Sequence, residues 1–174
     1  NEDYWDGVPT LEEVVIRPFP DGSVRYANLL SGAVDMIYPI EPRDYVEAED
    51  NAEVETLLQP TNGWRILVLD TTEPPFDDPD FRRALAATIN RQAISQVVFN
   101  GLEPPATGPM PATSPYYTEP TNLQGLDVDL AQELAGDSTF ALTTIARSPE
   151  DQLTQLIQAM ASQGGVELSI EPVE

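Results

Sequence analysis

The chain has 174 residues, of which 30 are acidic and 8 are basic, and its formal net charge at pH 7 is -22. This excess of carboxylates excludes the clustered cations that nucleic-acid phosphates or an anionic membrane surface would require. Neither cysteine nor histidine occurs, which excludes disulfides and thiolate metal ligands and removes the commonest general base. Because 41% of the residues are hydrophobic, we expect a folded chain with a charged surface.

Short strands and helices are predicted to alternate in the first 70 residues. Four apolar runs predict strands, at 14–16, 34–38, 54–58 and 65–70. Asp21 predicts the start of a helix over 23–30, which Gly32 ends. A second, shorter helix is predicted over 42–46.

Longer helices and a proline-rich loop are predicted in the middle of the sequence. Asp78 followed by Pro79 predicts a helix start, because the carboxylate accepts from free backbone N–H groups and proline has none to lose. The helical pattern continues to Phe99, and Asn90 in its middle either continues the helix or caps a second one. Six prolines predict that 102–124 is a long irregular loop.

The last part of the sequence predicts a β-α-β unit. After a short helix over 127–134, the run 140–145 predicts a strand, and 148–151 has the residues of a helix start. Gly164 and Gly165 end that helix, and 166–170 alternates apolar and polar residues as a half-buried strand does. A right-handed crossover would make the two strands parallel.

An ordered set of segments resembles one known family. These are the N-x-x-Y-W stretch in 1–7, then 14–17, 20–23, the x-x-G-x-V-D stretch in 30–36, and then 75–85, 89–94, 140–145, 158–160 and 165–168. Together they resemble the middle of the family 5 extracellular solute-binding proteins, the peptide-, nickel- and opine-type receptors of ABC importers. Asn90 departs from the family, which usually has Asp there, but either residue can cap a helix.

The resemblance implies the fold class and its division. The fold class is α/β, a mixed-sheet fragment of a two-lobed periplasmic-binding-protein (type II) fold. Residues 1–70 would form the later part of the first lobe, 71–78 the crossing segment between lobes, and 79–174 the start of the second lobe. Because family members are several-fold longer, and because the first residues lack the basic start and apolar stretch of a signal peptide, we expect an internal piece of a longer protein.

The resemblance also implies a function. The protein would be the substrate-binding component of an ABC importer, not an enzyme, and would bind an oligopeptide or similar small solute by closure of two lobes. Its partners would be that solute and the membrane subunits of the permease, with no nucleic acid, cofactor or metal. The implied location is periplasmic or otherwise extracytoplasmic, with a lipid anchor as one option, and self-association of the fragment stays open.

Two segments carry the predicted ligand contacts. The predicted ligand-binding residues are Tyr38, Pro39, Ile40, Glu41, Asn62 and Trp64. The segment 38–41 lies at the end of a predicted strand, where ligands approach open α/β sheets. The Tyr38 hydroxyl either donates to a ligand there, or the loop is simply solvated. Trp64 precedes the strand that the resemblance places beside the cleft, where it either stacks on a solute or packs at the core edge under a turn.

Other functions remain as alternatives. A carboxylate-dependent hydrolase is weakened by the absence of histidine and cysteine, and an acidic interaction or scaffold domain would bind a basic partner in a salt-dependent way. The acidic runs 77–80 and 127–129 lack the glycine and glutamate that an EF-hand loop requires, so no metal site is predicted. Arg82 and Arg83 are predicted to pair with the aspartates of their own helix start.

Overall fold

The computed structural model describes residues 3–59, 61, 63–121, 123–136, 139–145 and 148–173. Within them the helices are α1 (Gly22–Leu30), α2 (Pro42–Glu49), α3 (Pro79–Thr88), α4 (Arg91–Phe99), α5 (Val128–Leu134) and α6 (Glu150–Gln163), and the strands are β1 (Thr139–Ile145) and β2 (Glu167–Val173). The chain divides into two compact units, Asn1–Ile40 and Glu41–Glu174. The crossing segment predicted at 71–78 lies within the sequence of the second unit, and its role in a longer two-lobed protein stays a prediction.

Helix α1 organises the first unit, and both of its ends were predicted. The Asp21 Oδ1 atom accepts from the Val24 backbone N–H at 2.9 Å, which satisfies one of the free donors at the helix start. Gly32 ends the helix with φ of +72°, a left-handed conformation that glycine adopts without a steric penalty. The predicted helix is therefore confirmed.

The helical run from Pro79 to Phe99 is two helices separated by a cap. The Asn90 Oδ1 atom accepts from the Ala93 backbone N–H at 2.9 Å, so this residue begins α4 and does not continue α3. At the start of α3 the Asp78 Oδ1 atom accepts from the Asp80 N–H at 2.8 Å, with proline at the next position as predicted. Short polar side chains thus set both helix starts.

The core of the second unit lies between α3, α5, α6 and the two strands. Its buried members are Phe81, Ala84, Leu85, Ala135, Ile157, Ala161, Val166 and Leu168. Phe140 of β1 meets the Phe76 ring with centroids 4.9 Å apart and the Phe81 ring edge-on at 89°, with centroids 6.1 Å apart. These edge-to-face contacts fasten β1 to the start of α3.

The predicted β-α-β unit is confirmed. Strands β1 and β2 pair in parallel, in a register that runs from Thr139 opposite Glu167 to Ile145 opposite Val173. Helix α6 connects them, as a parallel pair requires. Strand β2 extends three residues beyond the predicted end at 170.

The four other predicted strands are wrong for this chain. None of the runs 14–16, 34–38, 54–58 and 65–70, all of which the structure describes, forms a strand. Their composition favours an extended backbone, but a strand also requires a neighbouring segment to hydrogen-bond with. In the last run Leu67 and Leu69 still pack against the core while Ile66 and Val68 are exposed, so the alternation persists without a ladder.

The two arginines at the start of α3 behave differently. Arg83 pairs with Asp80 at 3.0 Å, one turn away, as predicted. Arg82 instead donates to the backbone carbonyl oxygens of Phe76 and Asp77, at 2.5 and 3.2 Å, so its predicted carboxylate pairing is wrong. The turn before α3 directs these two carbonyl oxygens at the guanidinium, so the backbone takes the place of the predicted carboxylates. The proline-rich region 102–124 contains no helix or strand among its described residues, as predicted.

None of the helices in the ranges that the structure describes is both long enough and apolar enough to span a bilayer.

Candidate ligand-binding site

The first predicted ligand segment ends the first unit. The Tyr38 side chain is 86% exposed, so its hydroxyl is open to a solute. Pro39 is also exposed, while Ile40 is half-buried. The segment therefore presents an accessible aromatic ring and leaves an apolar side chain partly covered.

Arg25 holds this segment within the first unit. Its Nη1 atom donates to the Phe19 carbonyl oxygen at 2.7 Å and to that of Pro20 at 3.3 Å. Its Nε atom donates to the Pro39 carbonyl oxygen at 3.1 Å. One planar guanidinium thus connects the entry of α1 to the predicted ligand segment, which a flexible lysine could not do in the same geometry.

Glu41 begins the second unit and contacts the start of α6. It occupies the position before α2 with an extended backbone, and its side chain does not cap that helix. Instead its Oε2 atom accepts from the Ser148 hydroxyl at 3.3 Å, across 107 residues of sequence. One predicted ligand residue is therefore placed beside the carboxyl end of β1, where open α/β sheets bind ligands.

The second predicted ligand segment is only partly described. Asn62 lies outside the described residues. Gly63 donates its N–H to the Thr61 hydroxyl at 3.2 Å, and the Trp64 side chain that follows is 48% exposed. An indole that is half covered offers one face to a planar or aliphatic group.

Arg65, which sequence reasoning did not single out, anchors this segment. Its Nη1 atom pairs with Glu103 Oε2, and its Nε atom lies 3.8 Å from Glu150 Oε1. Its guanidinium carbon also lies 4.6 Å from the centroid of the Phe99 ring, within the range of a cation–π contact. The sequence signal that could have indicated this role is a basic residue directly before an apolar run, in a chain that has 8 basic residues.

Two of these residues contact the same segment of the chain. Glu41 reaches Ser148, and Arg65 reaches Glu150, so both contact the start of α6. The carboxyl ends of β1 and β2 border an open hollow of about 220 Å³ on the same unit. The hollow is lined by Thr144, Asp151, Thr154, Gln155, Ile170 and Pro172. None of the five predicted ligand residues that the structure describes lines it.

The first turn of α2 carries a buried carboxylate that the sequence also did not indicate. Asp44 is 2% exposed, and its Oδ1 atom accepts from the Arg43 Nε and Nη2 atoms at 3.0 and 2.8 Å. This hydrogen-bonded partner raises the pKa of Arg43. Within the described ranges no three acidic side chains gather in a way that could hold a metal ion.

Comparison with known proteins assigns this fold to a class. Solved structures that superimpose on the chain are type II periplasmic binding proteins, so the predicted α/β fold class is confirmed. A family model described as bacterial extracellular solute-binding proteins, family 5 Middle, matches residues 1–174. The chain belongs to this family, as the ordered motifs predicted.

Individual relatives agree with that assignment. The glutathione-binding protein GsiB of Escherichia coli strain K12 is 30% identical over an alignment of 179 residues, gaps included. The alignment covers 98% of this chain and 35% of GsiB. NikA from Staphylococcus aureus, solved with Ni(L-His)2, is 27% identical with a TM-score of 0.80, over 99% of this chain and 38% of NikA. DppA from Helicobacter pylori, solved with the peptide STSA, is 24% identical with a TM-score of 0.86, over 100% of this chain and 35% of DppA. The chain thus spans little more than a third of each relative.

Proposed function

We propose that the protein is the substrate-binding component of an ABC importer, and that it binds an oligopeptide or a similar small solute. The observation that carries this proposal is the family match over all 174 residues. Its relatives include a glutathione-binding protein and a protein solved with a bound tetrapeptide. Both ligands are short peptides with a charged backbone terminus, which is why peptides are the first class to test.

The proposed contacts come from two segments. The proposed ligand-binding residues are Tyr38, Pro39, Ile40, Glu41, Asn62 and Trp64. The exposed hydroxyl of Tyr38 would donate to a carbonyl or carboxylate of the solute, and the half-covered indole of Trp64 would stack on it. The contact of Glu41 with Ser148 supports a place for this carboxylate beside the sheet end.

The mechanism that we propose is closure of two lobes around the solute, with the hinge in 71–78. Closure would present a different surface to the membrane subunits of the permease, and no covalent step is involved. The family description is of extracellular proteins, and a lipid anchor and a homo-oligomer are further proposals. X-ray scattering of the complete gene product should show a smaller radius of gyration when the solute is bound.

A hydrolase is less well supported than a binding role. The carboxylates of Glu41, Glu103 and Glu150 are each engaged by Ser148 or Arg65. A catalytic pair of carboxylates would need one member in an environment that keeps it protonated at neutral pH. Each of these carboxylates instead contacts a hydroxyl or a guanidinium group.

Isothermal calorimetry on the complete gene product tests the proposal. The probes are glutathione, the peptide STSA and a nickel–histidine complex, which represent the ligands of the relatives named above, and Met-Leu, the ligand in the solved structure of a dipeptide binding protein from Pseudoalteromonas sp. SM9913. We expect saturable heat with at least one peptide probe and weaker binding by Trp64→Ala and Tyr38→Ala. Tyr116→Ala is the matched control, because this exposed tyrosine lies in the proline-rich loop outside the proposed site. No heat from any probe would contradict the proposal.

A further inference from the structure

Arg65 joins three segments of the second unit that are far apart in sequence. Its guanidinium pairs with Glu103 after α4, lies 3.8 Å from Glu150 at the start of α6, and stacks 4.6 Å from the Phe99 ring centroid. Arg83, another of the 8 basic residues, differs from Arg65 because its ion pair lies within one helical turn. Contacts with distant segments restrain where Arg65 can lie in the fold, which a contact within one helical turn does not do.

The partners of Arg65 are themselves held in place. Phe99 is 4% exposed within α4, so its ring has little freedom. The Glu103 backbone carbonyl accepts from the Ser95 hydroxyl at 2.6 Å, which fixes this residue to the same helix. Glu150 is the first residue of α6. The guanidinium is therefore bound to two packed helices.

The segment 65–70, which Arg65 begins, is not held by hydrogen bonds to a neighbouring strand. Residues 65–70 form no strand among the described residues, and only Leu67 and Leu69 face the core. The contacts of the Arg65 side chain thus attach the end of this segment that adjoins Trp64 to the rest of the unit. Because Trp64 directly precedes Arg65, a restraint on Arg65 also limits the backbone conformations available to Trp64.

We propose that Arg65 is a positioning residue for solute binding, which holds the Trp64 indole in one orientation through its contacts with Glu103, Glu150 and Phe99. This inference rests on the proposed function, since it concerns the aromatic residue of the same site. The residue must be arginine, because a planar guanidinium can stack on a ring while its edge meets two carboxylates. An indole that is oriented before binding loses less conformational freedom when the solute arrives.

The test uses fluorine NMR of the complete gene product labelled with 5-fluorotryptophan. The variants Trp64→Phe and Trp5→Phe assign the resonances of these two tryptophans among those of the complete gene product, because each variant loses one resonance. Arg65→Gln removes the guanidinium, and Arg83→Gln is the matched control, because it loses the same charge from an ion pair whose side chains are 57% and 58% exposed. We expect the Trp64 resonance to shift and broaden in Arg65→Gln only, while the Trp5 resonance stays constant in both variants.

Binding is measured on the same proteins with whichever of glutathione, Met-Leu and STSA binds the wild type. We expect Arg65→Gln to weaken binding about tenfold, which corresponds to about 1.4 kcal/mol, and Arg83→Gln to leave it unchanged. Should Arg65→Gln fail to fold, Glu103→Gln removes one contact while keeping Phe99 and Glu150. It should move the Trp64 resonance in the same direction by a smaller amount.

The outcomes separate this inference from the proposed function. An unchanged Trp64 resonance in Arg65→Gln, or a loss of affinity no larger than in Arg83→Gln, would overturn the positioning role while leaving solute binding intact. Absence of binding by the wild type would instead overturn the proposed function. In that case the resonances recorded without solute still decide whether Arg65 orients Trp64.

Discussion

Gly164, at the end of α6, lies directly against Thr88 at the end of α3. A Cβ atom built on the glycine would be 2.4 Å from the Thr88 Cγ2 atom and 3.0 Å from the Ala131 Cβ atom. Thr88 cannot turn away freely, because it is 1% exposed and its hydroxyl donates to the Leu85 carbonyl oxygen at 2.7 Å. The close approach of α3, α5 and α6 therefore requires glycine at this position.

Gly164→Ala should destabilise the protein by about 1–3 kcal/mol, the usual cost of overpacking a core. Urea unfolding of the complete gene product measures the loss as a lower midpoint. Gly108→Ala is the matched control, since no described atom beyond its two chain neighbours lies within 4 Å of its Cβ position. Thr88→Ser keeps the hydroxyl and removes the Cγ2 methyl, so in the Gly164→Ala background it should restore part of the loss. If Thr88→Ser restored no stability, the destabilisation by Gly164→Ala would not come from the contact with the Thr88 methyl group.

Asn90→Ala should lower the free energy of unfolding by about 1 kcal/mol, because the Ala93 N–H loses its side-chain acceptor. Asn90→Asp retains a short oxygen acceptor and should stay within a few tenths of a kcal/mol of the wild type. Urea midpoints and slopes of the three proteins provide the comparison. Equal stability of the alanine variant would mean that α4 begins without help from its cap.

Local features of this fold could be predicted from the sequence because their causes lie within a few residues. Asp21, Asp78 and Asn90 each accept from a backbone N–H two or three residues away, so the helix starts depend on neighbours that the sequence displays. The β-α-β unit was predictable for a similar reason. Its helix must return the chain to the beginning of a parallel partner, which leaves little choice of topology.

Features that depend on distant segments could not be predicted in this way. The run 65–70 has the composition of a strand, but whether it pairs depends on a neighbour that its own residues do not specify. The same holds for Arg65, whose partner Glu103 is 38 residues away. The site residues illustrate both cases, because the exposure of Tyr38 fits its predicted loop while the contact of Glu41 with Ser148 required the fold.

The Asp70 carboxylate provides a prediction about pH. The Thr72 hydroxyl at 2.7 Å and the Thr72 backbone N–H at 3.0 Å both donate to its Oδ1 atom and lower the pKa of Asp70 below 3.8. A pKa that is lower in the folded state stabilises the fold above the unfolded value of 3.8, and this stabilisation disappears as the pH falls through the folded pKa. Acidification should therefore weaken the turn at 70–72.

Thr72→Val removes the hydroxyl, the larger cause, and keeps the N–H. Carbon-detected NMR titration of the Asp70 carboxyl should show a pKa below 3.8 in the wild type and a higher value in the variant. Ser23→Ala should act in the same way on Asp21, whose pKa the Ser23 hydroxyl lowers, and should leave Asp70 unchanged. An identical Asp70 titration in wild type and Thr72→Val would show that the hydroxyl does not contribute.

Phe81→Ala should be the most destabilising of the proposed substitutions, at about 3–5 kcal/mol. The ring is 2% exposed and contacts the rings of both Phe76 and Phe140, so its removal leaves a cavity and removes a contact between α3 and β1. Tyr116→Ala, on a ring that is 80% exposed, should change stability by less than about 0.5 kcal/mol. Hydrogen exchange of the β1 amides adds a local readout, since these should lose protection in Phe81→Ala and not in Tyr116→Ala. Retained protection in both variants would mean that β1 is held by α6 and β2 alone.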